Sequence, residues 1–228
     1  MSVRVFHAGE LTPDATVELV GDELHYLVRV RRAAKGDVVE VLDGAGHGAR
    51  AVLERVDARS ATLRVDAAIA YADTPTLELW LGMPDVDATL ACITAACELG
   101  VTRLTLVRTA FAQAQLPGRA RIDRVLQAAM RQCGRPQPPV IAGPLALADL
   151  LARTEPRGGW IAWERLRDAA APSPPRVARL FVGPEGGLRE DEVRACEDAG
   201  MSACSLGPWT LRAPTAVVAG LGRLRALT

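Results

Sequence analysis

Two glycine-punctuated stretches near the C-terminus constrain the fold more than any other feature of the chain. The first, Phe181-Val182-Gly183-Pro184-Glu185-Gly186-Gly187-Leu188, follows the apolar run 180–182 and leads into Arg189-Glu190-Asp191-Glu192-Val193. Acidic residues in a first turn complement the helix dipole, so this stretch reads as a strand, a glycine turn and a helix start. The second is Ser205-Leu206-Gly207-Pro208-Trp209-Thr210-Leu211-Arg212-Ala213-Pro214-Thr215-Ala216. It repeats the grammar: a short apolar strand at 203–206, a loop with Gly207 and Pro208, and an apolar helix over 215–227. Strand–loop–helix units in succession belong to an α/β architecture. Glycine admits positive φ and close approach, so the two loops can present bare backbone N–H and C=O groups to one ligand.

Upstream, the pattern changes near residues 71–75. Before that point, the runs 17–20, 38–42, 49–56 and 61–65 are short and β-branched or alternating. Gly-Asp, Asp-Gly and Asp-Ala-Arg-Ser turns separate them, which predicts a small β-barrel or sandwich. Residues 23–30 predict a helical turn carrying His25 inward. After Pro75, strands and helices alternate. Strands are expected at 77–83, 103–107, 139–142, 160–163 and 180–182, and helices at 85–99, 119–133 and 145–153. The first of those helices has Val86, Leu90, Ile93 and Cys97 at helical spacing. Residues 167–175, rich in Ala and Pro, predict a loop. The expected domains are therefore 1–72 and 73–228.

With 228 residues, 49% of them hydrophobic and 24% charged, the chain can bury a core and has room for two domains. The N-terminus Met1-Ser2-Val3-Arg4-Val5-Phe6-His7 lacks an apolar signal region and no long apolar run occurs, so a cytoplasmic protein off the membrane is expected. Five cysteines form no C-x-x-C pair and read as reduced thiols. His7, His25 and His47 make no zinc-ligand spacing with them, so no metal is expected. Gly183–Gly187 lacks the Lys-Ser/Thr of a P-loop, and neither G-x-G-x-x-G nor G-x-S-x-G is present.

Net charge is zero, but it is unevenly spread. Asp73, Glu78, Asp85, Asp87 and Glu98 are the only charged residues of 71–100. In 101–142, Arg103, Arg108, Arg119, Arg121, Arg124, Arg131 and Arg135 face Asp123 alone. A second basic cluster is Arg29, Arg31, Arg32 and Lys35. Local positive potential serves phosphate binding whatever the net charge, so these clusters are candidate RNA contacts, with a solvated helix face as the alternative.

The pair G-P-E-G-G and L-G-x-x-x-L-R-x-x-T-A resembles the 16S ribosomal RNA uridine-N3 methyltransferases of the SPOUT class. Gly36-Asp37, Asp43-Gly44, Glu98-Leu99-Gly100-Val101 and Gln132-Cys133-Gly134-Arg135 extend the resemblance over nearly the whole chain. It implies a PUA-like N-terminal β-barrel that binds RNA, followed by a SPOUT-type α/β domain whose end forms a trefoil knot. It further implies a homodimer acting on 16S RNA in the 30S subunit with S-adenosyl-L-methionine. Carried over by position, the cofactor-binding residues would be Leu81, Gly82, Met83, Gly183, Pro184, Glu185, Gly186, Ser205, Leu206, Gly207, Thr210 and Leu211. Arg212 would be catalytic, and Arg29, Arg31, Arg32, Lys35 and Arg135 would bind RNA.

Uridine methylation at N3 explains the need for such an arginine. The imide must lose its proton, charge gathers on the ring oxygens, and a fixed guanidinium beside them stabilises it. The chain departs from the family at Pro214, where Glu is usual, and the expectation is that Pro214 disfavours a helical Ala213. Charges that the family tends to place near Pro84, Ala95, Phe111, Ala128 and Arg131 are also missing or reversed. A second reading is therefore a SPOUT-fold RNA-binding protein that keeps the cofactor but has an altered substrate or little methyl transfer.

Overall fold

The structure is a computed structural model that describes residues 2–154, 157–166 and 173–227. Of the predicted loop at 167–175, residues 167–172 lie outside the described residues. The chain forms two compact units: residues 1–73 with 130–138, and residues 74–129 with 139–228.

The first unit is a curled five-stranded sheet in the order β1-β3-β4-β5-β2, with β1 Val3–Phe6, β2 Thr16–Leu19, β3 Val38–Leu42, β4 Gly48–Val56 and β5 Ala61–Ala68. The strands alternate with period two: Val17 and Leu19, Val39 and Val41, Ala49, Ala51 and Leu53, then Ala61, Leu63 and Val65 all enter one core. Strand β1 was not expected, because four residues carry little pattern and its parallel partner β3 begins more than thirty positions on. The predicted helical turn divides into α1 Gly21–His25 and a π-helical turn Tyr26–Val30. Its inward residue is Leu27, not His25. Two residues apart on a helical turn lie on nearly opposite sides, so with Leu27 fully buried His25 is exposed.

Several motif residues of this unit shape its turns. Asp43 accepts N–H bonds from Ala45 at 2.7 Å and His47 at 2.9 Å, with the His47 ring 2.6 Å from its other oxygen. Burial raises the Asp43 pKa, but these bonds outweigh it and hold the carboxyl below its ordinary value. Segment 130–138 belongs to this unit as well. The Arg131 guanidinium lies 4.0 Å from the Tyr26 ring centre and 5.3 Å from that of Phe6, and is ion-paired with Glu23. Arg4 donates to the Arg131 and Gln132 carbonyls at 3.1 and 2.8 Å. Gly134, at φ +80°, follows the end of a helix as a left-handed cap. The Gln132–Arg135 motif thus sits where a helix end is latched to the sheet.

The second unit is a six-stranded parallel sheet, order β11-β9-β10-β6-β7-β8. Its strands are β6 Glu78–Gly82, β7 Arg103–Arg108, β8 Val140–Ala146, β9 Trp160–Ala162, β10 Arg179–Val182 and β11 Ser202–Cys204. The helices are α2 Val86–Glu98, α3 Arg119–Cys133, α4 Leu147–Arg153, α5 Glu190–Asp198 and α6 Ala213–Arg225. Central strands of such a sheet are covered on both faces, and every residue of β10 is buried. Phe181 points into a core with Trp80, Leu150, Val193 and Cys196. Its neighbour Leu180 faces the other way onto α6, where a Cβ at Gly220 would come within 2.6 Å of Leu180 Cδ2. Gly220 therefore allows α6 to lie directly on the sheet.

Two predicted boundaries shift. Leu145 and Ala146 continue β8 beside Val107 and Arg108 instead of starting a helix. Gly143, at φ +93° and with no room for a Cβ near the Leu106 carbonyl, carries the strand past Pro144. At the other end, α6 begins at Ala213, so Pro214 does not keep Ala213 out of the helix. First-turn N–H groups have no intrahelical partner, and proline there costs the helix little.

Candidate functional site

In open parallel sheets, ligands bind beyond the carboxyl ends of the strands, where the strand order reverses. Here the chain runs outward from β6 to β8 and then crosses to β9 and β10 on the other side of β6. At the carboxyl ends of β9 and β10 lies a cleft of about 110 Å³ that opens to solvent.

Three loops build it. The loop after β10 contributes Gly183, Pro184, Glu185, Gly186 and Gly187. Its turn is closed by the Gly187 N–H on the Pro184 carbonyl at 2.9 Å. Glycine is required at three of these positions for different reasons. A Cβ on Gly183 would lie 2.9 Å from Leu188 Cγ and 3.1 Å from the Gly187 carbonyl carbon. One on Gly186 would lie 2.7 Å from Phe111 Cβ, and Gly187 has φ +76°. The loop after β11 contributes Leu206, Gly207, Trp209, Thr210 and Leu211, with Ala213 and Ala216 from α6. Its start is tethered: the Ser205 hydroxyl bonds both the N–H and the carbonyl of Gly207 at 3.2 Å, and Arg223 donates to the Ser205 carbonyl at 3.2 Å. The third wall, Ala162, Trp163 and Glu164, follows β9.

Of the residues singled out in the sequence, Gly183, Pro184, Glu185, Gly186, Leu206, Gly207, Thr210 and Leu211 line this cleft. Leu81, Gly82, Met83 and Ser205 do not. Leu81 and Met83 are buried in the sheet layer. Gly82 lies behind the first loop, where a Cβ would come within 2.8 Å of Pro184 Cδ. Glu185 reaches back to accept the Asp85 N–H at 3.1 Å. Gly187, a cofactor candidate beside Gly183, also lines the cleft. Trp163, Glu164, Trp209 and the two alanines of α6 had no assigned role; only the strand order places the end of β9 beside the two glycine loops. The Trp163 Nε1–H is buried without a partner among the described residues.

Arg212 stands between Leu211 and Ala213, which both line the cleft, at the residue preceding α6. It is exposed, and its side chain makes no hydrogen bond or ion pair among the described residues. Of the proposed RNA contacts, Arg29, Arg32 and Lys35 are exposed and Arg31 and Arg135 half-buried, all within the first unit. The arginine-rich stretch after residue 100 is less free than its charge suggests: Arg119 pairs with Asp123, Arg121 with Asp87 and Arg131 with Glu23.

Buried thiols surround the sheet. Burial pushes Cys92 up to about 12, aided by Glu185 and Asp85, and Cys196 to about 12, aided by Glu192 and Glu197. Cys204 rises to about 11 through burial, against the opposing charge of Arg223. Such thiols are inert as nucleophiles at neutral pH. Cys133 alone is exposed, and all five cysteines are free.

Comparison with known proteins agrees with this arrangement. The RNA methyltransferase domain family matches residues 72–225, and the RNA methyltransferase PUA domain family matches 19–66. Those two matches define the class. The chain belongs to the ribosomal RNA small subunit methyltransferase E family. It is 30% identical over 246 residues to the protein of that name from Mycobacterium bovis, covering 100% of this chain and 93% of that one. The Synechocystis relative of the same name is also 30% identical, over 100% of this chain and 78% of its own. In fold, it matches the ribosomal RNA small subunit methyltransferase E of Neisseria gonorrhoeae bound to S-adenosyl methionine. The TM-score is 0.83 at 23% identity, covering 100% of this chain and 98% of that one.

Proposed function

We propose that this protein methylates N3 of a uridine in 16S ribosomal RNA, using S-adenosylmethionine held in the cleft of the second unit. The observation that carries the reading is the convergence of both glycine loops on one cleft, in a chain similar along its full length to enzymes named for ribosomal RNA methylation. The residues present suit such a cofactor. Gly183 and Gly186 present backbone with no side chain, Glu164 offers a carboxylate to hydroxyl or amine donors, and the Trp163 indole N–H, without a partner among the described residues, offers a donor. Leu206, Leu211, Ala162 and Ala216 supply an apolar wall of the kind that suits an adenine ring.

The cofactor supplies an electrophilic methyl on a sulfonium sulfur. The protein's part is positioning and charge stabilisation. Loops 183–187 and 206–211 fix the donor's place, and the target base must be turned out of the RNA to reach it. N3 gives up its proton to solvent before it takes the methyl, and in that anion negative charge lies on the ring oxygens until the new C–N bond discharges it and leaves a neutral thioether. Arg212, always charged and with no side-chain partner among the described residues, is proposed to meet that charge. The basic residues Arg29, Arg31, Arg32, Lys35 and Arg135 are proposed to hold the RNA backbone.

The proposal includes the 30S subunit as substrate, a cytoplasmic homodimer and the C-terminal knot. Val218, 50% exposed on α6 opposite its buried face, supports a partner surface on that helix. For the knot, the supporting feature is a path that leaves central β10, runs to edge strand β11 and returns as α6 onto β10. Light scattering that reports a monomer would remove the dimer, and an experimental chain trace without threading would remove the knot. The activity itself is tested by incubating purified protein with methyl-labelled S-adenosylmethionine and either 30S particles or free 16S RNA. Label should enter the RNA. Cofactor binding without transfer to either substrate would indicate the non-catalytic RNA-binding alternative.

A further inference from the structure

Trp209 is 80% exposed, more than any other large apolar side chain among the described residues, while Trp80 and Trp160 are buried at 2% and 1%. An indole left in water forgoes the burial that an aromatic ring usually supplies. Its position is specific: Trp209 lines the rim of the cleft, and exposed Phe111 packs against Gly186 in the other glycine loop. The loop that displays it is held at both ends. Ser205 secures Gly207 on one side, Pro208 fixes the backbone φ, and the Arg212 carbonyl accepts the Ala216 N–H at 2.9 Å on the other. Three residues along stands Arg212, exposed, its side chain without a partner among the described residues.

A flat apolar face beside a free guanidinium fits an unpaired nucleobase. Proteins read unstacked RNA bases by stacking them on aromatic rings and pairing their edges with polar groups. We propose that Trp209 is the stacking platform for the target base, holding it at the mouth of the cleft while Arg212 meets the oxygens on its edge. The inference rests on the methyltransferase reading and adds the residue that positions the substrate. It assigns Trp209 to the RNA and not to the cofactor.

The test uses the full-length protein with Trp209→Ala and Trp209→Phe. Because Trp209 is exposed, both variants should fold, which thermal melting verifies. S-adenosylmethionine affinity by calorimetry should stay within about threefold of wild type. Methyl transfer to 30S particles should fall about tenfold or more in kcat/KM for Trp209→Ala, the size expected for a lost base–aromatic stack. Trp209→Phe should recover most of it, since a ring face remains. Independently of turnover, a short single-stranded RNA containing uridine should quench indole emission in wild type, with that quenching lost in Trp209→Ala. Unchanged transfer and quenching in Trp209→Ala would overturn the proposal. So would a loss of cofactor affinity equal to the loss of transfer, which would make Trp209 a wall of the cofactor site. If wild type transfers no methyl group to RNA, the methyltransferase reading fails, and the quenching measurement still decides whether Trp209 stacks on a base.

Discussion

Gly183→Ala is the sharpest probe of the first loop. Gly183 does not have positive φ, so alanine meets no backbone penalty there and the whole effect is steric. The new Cβ would sit 2.9 Å from Leu188 Cγ and 3.1 Å from the Gly187 carbonyl carbon, whereas unstrained carbon contacts lie near 3.5–4.0 Å. Leu188 cannot yield easily, being 1% exposed in the core beside Phe181 and Val193. The turn 184–187 must therefore open. Overpacking of this kind costs roughly 1–3 kcal/mol. If the strain falls on the conformation that lines the cleft, S-adenosylmethionine affinity drops about 5- to 150-fold, at 1.36 kcal/mol per factor of ten. Gly183→Val should be worse, and for the same reason: the obstruction is to the protein's own turn before it is to the ligand. Gly118→Ala, where a Cβ would meet nothing within 4 Å, is the matched control. Calorimetry and thermal melting on the three variants suffice. Affinity within twofold of wild type in Gly183→Ala, with normal folding, would remove this loop from the binding site.

Other outcomes follow from single residues. Arg212→Ala should leave cofactor affinity within a few-fold but lower single-turnover methylation about a hundredfold or more, because it removes a charge needed only as the uracil ring becomes negative. An undiminished rate would end its catalytic assignment. Cys92, Cys196 and Cys204 titrate above an unfolded thiol, near 8.5, so the folded state keeps protons that the unfolded state loses. The stability they contribute is complete below that value and declines as pH rises toward their folded values of about 11 to 12. Urea midpoints should fall above about pH 9, and at neutral pH only Cys133 should react quickly with a thiol reagent; rapid reaction of several thiols would contradict their burial. Arg179 is 1% exposed, bonds Glu78 at 2.7 Å and the Gly158 carbonyl at 2.8 Å, and lies 4.8 Å from the centre of the Trp80 ring. Arg179→Ala should cost about 3–5 kcal/mol by leaving Glu78 without its partner, and a melting temperature near wild type would refute that role.

What could be read from the chain alone was governed by local chemistry. The glycines at 183–187 and 207 announce loops because few other residues tolerate those conformations or contacts, and both loops do meet in one cleft. Odd-numbered apolar residues from Val39 to Val65 announce the first sheet by their alternation. Properties set by long-range pairing were less visible. Strand β1 depends on a distant parallel partner, and Trp163 and Glu164 enter the cleft only because β9 lies between β11 and β10. His25 faces outward because Leu27, two positions on, takes the buried side. Leu81, Gly82, Met83 and Ser205 do not line the cleft; Gly82 lies against Pro184 and Ser205 bonds Gly207, so these two touch its loops. The arginines of α3 looked like one basic face, yet their partners Asp87 and Glu23 come from other elements.

The central claim is the identity of the methylated atom. It is tested most directly by nucleoside mass spectrometry of 16S RNA from 30S particles treated with this protein and S-adenosylmethionine, compared with untreated particles from cells lacking it. The account predicts a single new N3-methyluridine in the treated RNA. A methyl group on another base, on ribose, or on no nucleoside despite measured cofactor binding would contradict it.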